Sequence, residues 1–444
     1  MSAFQQSMKR FSVRAGLLAG TSAAVLAIAG IGAGSAMAAP TCTPVTGGLA
    51  LKGQGSTLQN VAQGEWTSKY NAACASGSNA NFSYEGTGSG AALKAFGYES
   101  GVAINKTFAY GGTDEAPASA AIAIAKAHAS NVAPVIVPVA QTSIAVVANK
   151  PANCGVTGGI TWANLNELFA GKIKHWSQLS TITNKTACET AEAGASITRI
   201  VRKDGSGTTY QFKNYLSELE GAPISASGPG KVLVGGVCTT ETWSALRPNP
   251  TFNLLWPEAG CNTGVTTVET AEGGGGVVNA VLAKSNSIGY AAYSDVVGHG
   301  AISNALSLEN ANEVGVGATY ALPGQGTGSK EANCGVRAYT VPTTGRKTGG
   351  TGLEVDWSTV FGANPEIATS YPLCTLTYEL SWNGFSTAGY AAHFGTAVHN
   401  YLAYELGEGQ SILPEKGYQK LPSPAANANN VLGAAELALT KVVE

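Results

Sequence analysis

The sequence predicts an α/β protein, and three observations carry that reading. β-branched apolar runs alternate along the chain with runs in helical spacing. Loops of glycine and hydroxyl residues open several of the expected helices. A hydrophobic share of 44% with 8% aromatics is ample for packed cores. A chain of 444 residues is long enough for about two or three domains. Only 12% of residues are charged, and Lys+Arg 26 against Asp+Glu 28 leaves a net charge of −2. Such a balance speaks against nucleic acid as a partner, because a binder would show a basic patch or a basic pI.

The elements follow in chain order. Residues 1–38 carry Lys9, Arg10 and Arg14 and no acidic residue, then an Ala/Gly/Leu-rich run ending in Ala36-Met37-Ala38. That is the pattern of an export signal with a small-x-small cleavage site. Cleavage after Ala38 removes those three cations and takes the net charge from −2 to −5. Ala39-Pro40-Thr41 lacks the aliphatic residue of a lipoprotein signature before Cys42, so no lipid anchor is expected. No later stretch is long and apolar enough to span a bilayer, and an exported soluble protein, periplasmic or fully secreted, is expected.

Leu58, Val61, Ala62, Trp66 and Tyr70 keep helical spacing behind Ser56-Thr57. Residues 81–84 read as a strand, 91–96 and 121–129 as helices, and 135–139 and 143–148 as two buried strands. A helix is expected over 161–179 and a strand over 197–201. An amphipathic helix then carries Tyr210, Phe212, Tyr215, Leu216 and Leu219. Residues 277–283 read as helix and 287–293 as strand, 300–364 as loop, and 398–406 and 425–443 as helix.

All eight cysteines lie after the cleavage site and none forms a CxxC pair, which favours disulfides over zinc. Grouping sequence neighbours gives Cys42–Cys74, Cys154–Cys188, Cys238–Cys261 and Cys334–Cys374, each worth about 3–4 kcal/mol in the chain-entropy model.

Three loops share one construction: Gly53-Gln54-Gly55-Ser56-Thr57, Gly86-Thr87-Gly88-Ser89-Gly90 and Asp204-Gly205-Ser206-Gly207-Thr208. Each opens an expected helix, whose first N–H groups are unpaired and whose dipole favours an anion. Glycine admits close backbone approach, and Ser and Thr add donors. One such loop alone is as well explained by a helix cap in a glycine-rich turn. Three of them, with Arg202 two residues before Asp204, point to a socket for a small oxyanion.

These motifs, in this order, resemble those of the phosphate-binding proteins of bacterial phosphate ABC importers and the related DING proteins. The resemblance runs from about Leu51 to Asp295 and is strongest over Val201-Arg202-Lys203-Asp204-Gly205-Ser206-Gly207-Thr208. Gly111-Gly112-Thr113-Asp114 and Phe169-Ala170-Gly171-Lys172-Ile173 with Trp176 add to it. The resemblance implies a two-domain periplasmic-binding-protein fold with a hinge and an interdomain anion cleft. Domain 1 would comprise 39–140 and 293–444, and domain 2 would comprise 141–292.

Carried over by motif, phosphate contacts are expected from Thr57, the N–H of Leu58, and Ser89. Asp114 would face the anion, Arg202 would supply the cation, and Asp204 would hold its guanidinium. Ser206, Gly207 and Thr208 would add donors. Chemistry fits these roles: Arg offers a planar fork, and a carboxylate only accepts, so Asp114 suits a phosphate O–H and opposes sulfate. No cofactor, metal or catalytic group is called for, and the expected partners are inorganic phosphate and a membrane permease, with the receptor a monomer.

The chain departs from the pattern. Leu58 replaces an aromatic, and Glu115 adds a carboxylate that is expected to point outward, the alternative being that it raises the pKa of Asp114. The C-terminal third matches poorly. Two other readings are weighed: an exported phosphohydrolase using the same cradle, and a binder of sulfate or molybdate. The five histidines (His128, His175, His299, His393, His399) lack metal-site spacing, Gly205-Ser206-Gly207 lacks a nucleophile elbow, and there is no Walker A sequence.

Overall fold

The computed structural model describes residues 39–75, 79–220, 228–249, 252–310, 319–335, 357–360, 370–423 and 431–444. The expected export signal over 1–38, much of the expected loop over 300–364, and the start of the last expected helix lie outside them.

The first third alternates strand and helix. Strand β1 (Leu49–Gly55) is followed by α1 (Asn60–Ala73), β2 (Ala80–Gly86), α2 (Ser89–Ala95), β3 (Phe108–Thr113) and α3 (Ser119–His128). Strand β4 (Pro134–Asn149) then runs unbroken where two strands are expected. Gln141, Thr142 and Ser143, which interrupt its apolar pattern, are themselves buried. Next come α4 (Trp162–Phe169), α5 (Lys185–Glu192), β5 (Thr198–Arg202) and α6 (Gly207–Leu219). The helix expected over 161–179 stops at α4 because Gly171 takes φ +76°, a left-handed terminator. The Lys172 N–H closes the end on the Glu167 carbonyl at 2.9 Å.

A hairpin of β6 (Gly230–Val234) and β7 (Val237–Glu241) leads to β8 (Val268–Ala271), α7 (Gly273–Ala283), β9 (Ser287–Ala292) and α8 (Tyr293–Gly298). Two short strands, β10 (Leu308–Glu309) and β11 (Tyr320–Ala321), precede β12 (Cys374–Trp382), α9 (Phe394–Leu406) and α10 (Val431–Leu439).

One eight-stranded sheet in the order β2-β1-β3-β12-β4-β9-β5-β8 organises these elements. Strand β1 is parallel to β2 and β3, and β5 is parallel to β8 and β9. Between these parallel groups, β12 inserts antiparallel to both β3 and β4. That strand was not anticipated, although Leu376, Tyr378, Leu380 and Trp382 alternate strictly with polar residues. Both its faces are buried, so the alternation separates two interiors rather than core from solvent.

The apolar core forms distinct clusters. One gathers residues 51–140 with the C-terminal helices and β12, around Trp66, Tyr110, Trp382 and Tyr401. Another gathers Phe169, Trp176, Phe212, Trp243, Trp256 and Tyr290. The four disulfides join the cysteines as the sequence grouping expects.

Candidate functional site

The glycine–hydroxyl loops follow the C-terminal ends of β1, β2 and β5, with Asp114 just past the end of β3, where such sheets place ligands. Gly90 donates its N–H to the Gly205 carbonyl at 3.1 Å, joining the second loop to the third. Gly207 opens α6 so close to Asp114 that a Cβ there would lie 2.5 Å from Ser89 Oγ and 2.9 Å from Asp114 Cβ. Only glycine fits that approach.

Asp114 is at the centre, 1% exposed. Its Oδ1 accepts Ser56 Oγ at 2.5 Å and Thr377 Oγ1 at 2.8 Å, and its Oδ2 accepts Thr208 Oγ1 at 3.1 Å and Ser89 Oγ at 3.5 Å. In return, the Asp114 N–H donates to Ser89 Oγ at 3.1 Å, and its carbonyl accepts Gln211 Nε2 at 2.7 Å. Burial raises its pKa, while the Ser56, Thr377 and Thr208 hydroxyls and the Arg202 charge pull it back.

Arg202, at the end of β5, is buried and paired with Asp204 through both carboxylate oxygens, with Nε 2.7 Å from Oδ1. Burial opposes the guanidinium charge, and Asp204 more than restores it. Asp204 Oδ1 also accepts the Gly273 N–H at 2.9 Å, and Thr57 Oγ1 accepts the Gly274 N–H at 3.4 Å. The amino end of α7 thus docks between the first and third loops. The run Gly273-Gly274-Gly275-Gly276 was the overlooked sequence signal for this fourth loop.

The structure therefore gathers Thr57, Ser89, Asp114, Arg202, Asp204, Gly207 and Thr208 into one cluster. Beside the Ser89 and Thr208 hydroxyls, which donate to Asp114, two more expected donors are engaged within the fold. The Leu58 N–H goes to Ser56 Oγ at 3.1 Å. Ser206 caps α6, its Oγ accepting the Thr209 N–H at 3.1 Å, and its own N–H goes to Asn253 Oδ1 at 3.2 Å. Glu115 corrects the expectation that it points outward: it is half-buried, and the Asn249 side-chain amide donates to it. Burial pushes its carboxyl up to about 7, against the pull of Asn249 and Arg247.

Sequence reasoning missed three further polar residues. Ser56 belongs to the first loop but was not assigned a role, and Thr377 comes from the unanticipated β12. Asp295, in the first turn of α8, is buried, and burial moves its pKa up to about 7 although Arg202 pulls it down. Among the described residues, the groups close enough to hold a metal are Cys154, Cys188 and Glu192, and the two cysteines are a disulfide. No helix of the described residues is long and apolar enough to cross a membrane.

Known proteins match the chain as follows. The PBP superfamily domain matches residues 38–401. The phosphate-binding protein PstS of Xylella fastidiosa is 27% identical over 205 residues, 44% of this chain and 50% of that protein. The chain thus spans about half the length of that relative. Phosphate-binding protein PstS 3 of Mycobacterium leprae is 26% identical over 414 residues, 89% of this chain and 91% of its own. The solved phosphate-binding protein of Stenotrophomonas maltophilia shares the fold with a TM-score of 0.53 at 21% identity, over 84% of this chain and 90% of that one.

Proposed function

Because this chain belongs to the PBP superfamily, we propose that it is an exported receptor for inorganic phosphate. It captures the ion between two hinged domains and hands it to the permease of an ABC importer. The single observation that carries this reading is Asp114, a buried carboxylate ringed by hydroxyl groups, with the paired Arg202 among its electrostatic neighbours. A carboxylate accepts the proton that monohydrogen phosphate offers and opposes an ion without one. The relatives whose names specify phosphate agree with it.

The domains are 39–140 with 293–444, and 141–292. Support comes from the separate cores around Tyr401 and around Trp256, although the second also draws Leu306, Leu308, Tyr371 and Leu373 from beyond 293. Hinge closure brings the Thr57, Ser89 and Asp114 loops to the Arg202–Thr208 loop and expels water, which strengthens each bond to the ion. Export is supported by four disulfides and by the cleavable pattern over residues 1–38. Binding needs no reaction, in keeping with a binding-protein superfamily.

Isothermal titration of the purified protein with phosphate and with sulfate tests the reading. Tight phosphate binding, weak sulfate binding and loss of both in Arg202→Ala are expected. A silent phosphate titration ends the receptor reading, and turnover of a phosphomonoester replaces it with the phosphohydrolase.

A further inference from the structure

Thr377 stands where β12 pairs with the end of β3, and the register against β4 slips between Thr377 and Tyr378. Such irregularities re-aim side chains next to sites. Here the Thr377 hydroxyl lies 2.8 Å from Asp114 Oδ1, with the Thr113 carbonyl as a longer alternative at 3.3 Å. A hydroxyl has one proton to give. Gln59 Nε2, 2.7 Å from the same Oγ1, is donor only, so it takes a lone pair and leaves the proton for the shorter acceptor.

A buried chain holds that amide in place. Gln59 Nε2 also donates to the Tyr378 carbonyl at 2.9 Å, and Gln59 Oε1 lies 3.3 Å from Gln63 Nε2. Gln63 Nε2 reaches both Glu379 Oε1 and Glu405 Oε1 at 2.8 Å, and Gln63 Oε1 accepts the Tyr401 hydroxyl at 2.9 Å. Every one of these side chains is fully buried. Two carboxyls converging on one amide nitrogen, with no salt bridge to either among the described residues, cannot both carry charge. The Tyr378 carbonyl, which can only accept, fixes Gln59 with Nε2 as its donor, while both Gln63 N–H groups go to the two carboxyls.

We propose that Thr377 is a positioning and specificity-determining residue of the anion site. With Ser56 it saturates Oδ1 of Asp114, so that the carboxylate stays ionised in its buried setting. Oδ2, whose closest side-chain donor is Thr208, is then the oxygen that accepts the proton of the ligand. The inference rests on the phosphate reading for its ligand, but the state of Asp114 is measurable without one. Other groups that act on Asp114, or that its charge acts on, are Arg202, Glu115, Asp295, Tyr84 and Tyr418.

The test compares wild type, Thr377→Val and Thr377→Ser as whole protein. The Asp114 carboxyl is titrated by carbon-13 NMR without ligand, and phosphate and sulfate affinities are measured between pH 5.5 and 8.5. Thr377→Val should raise the Asp114 titration by about one pH unit and weaken phosphate about tenfold. Its phosphate binding should fail at higher pH on the acid side. The sulfate-to-phosphate affinity ratio should rise, since a protonated Asp114 donates, and Thr377→Ser should restore wild-type behaviour. An Asp114 titration and an affinity ratio unmoved by Thr377→Val overturn the proposal, even if the melting temperature falls. If Thr377→Val does not fold, Gln59→Met should move the same titration in the same direction. Wild-type silence to phosphate would sink the receptor reading alone, and the ligand-free titration would still judge Thr377.

Discussion

Arg202 at the end of β5 and Asp204 two residues on form an ion pair, the arginine buried and the aspartate half-buried, in which Nε lies 2.7 Å from Oδ1. The same oxygen accepts the Gly273 N–H at 2.9 Å, so the pair also anchors α7. Burial alone would raise the Asp204 pKa, but the Arg202 hydrogen bonds and charge bring it below its ordinary value. A depressed folded-state pKa contributes stability above the unfolded value and loses it as pH falls through the folded one. Asp204→Asn should therefore destabilise the protein at pH 7 and weaken phosphate binding about tenfold. The stability gap to wild type should close below pH 3.8, which thermal melts across pH will read.

The Glu379–Glu405 pair predicts the opposite slope. Burial raises both carboxyls, that of Glu405 to about 8. A raised folded-state pKa gives stability that is complete below the unfolded value of 4.5 and is lost as pH rises through the folded one. Ligand-free protein should lose stability between pH 5 and 8 at up to about 1.4 kcal/mol per pH unit per group. Glu405→Gln should flatten that decline, as urea unfolding at several pH values will show.

Lys213, fully buried in α6, donates to the carbonyls of Asn253 and Leu255 at 2.8 and 2.7 Å and lies over the Trp256 ring. It fixes the segment whose Asn253 side chain receives the Ser206 N–H. Asn253→Ala leaves that buried amide unpaired, and should cost about 1–3 kcal/mol of stability and a few-fold in phosphate affinity. Chemical denaturation and calorimetric titration read the two effects separately.

The Cys334–Cys374 bridge ties down the first residue of β12, the strand that carries Thr377. Replacing both cysteines by serine should cost about 2–5 kcal/mol and weaken phosphate binding. The same change at Cys238–Cys261, which tethers the β6–β7 hairpin, should lower stability without changing affinity.

The loops were legible in the sequence because glycine beside hydroxyl residues at a helix start is a local pattern. Thr57, Ser89 and Thr208 sit in such loops, with Arg202 just before the third, whereas Asp114 is picked out only by the resemblance of Gly111-Gly112-Thr113-Asp114 to the family motif. What surrounds Asp114 was not legible, since Thr377 is 263 residues away and reaches it only through the pairing of β12 with β3. Pattern reading also assigns alternating polar residues to solvent, whereas Thr375, Thr377, Glu379 and Ser381 are all buried. Strand β4 was read as two for the same reason, its polar middle being interior.

The most direct measurement is the ratio of phosphate to sulfate affinity in wild type and Asp114→Asn, titrated at neutral pH. Asparagine keeps the shape of Asp114 but offers an N–H where the carboxylate only accepts. The ratio should be large in wild type and fall by about tenfold or more in Asp114→Asn, phosphate weakening while sulfate gains. A ratio that the substitution leaves unchanged would contradict Asp114 as the group that reads the ligand's proton.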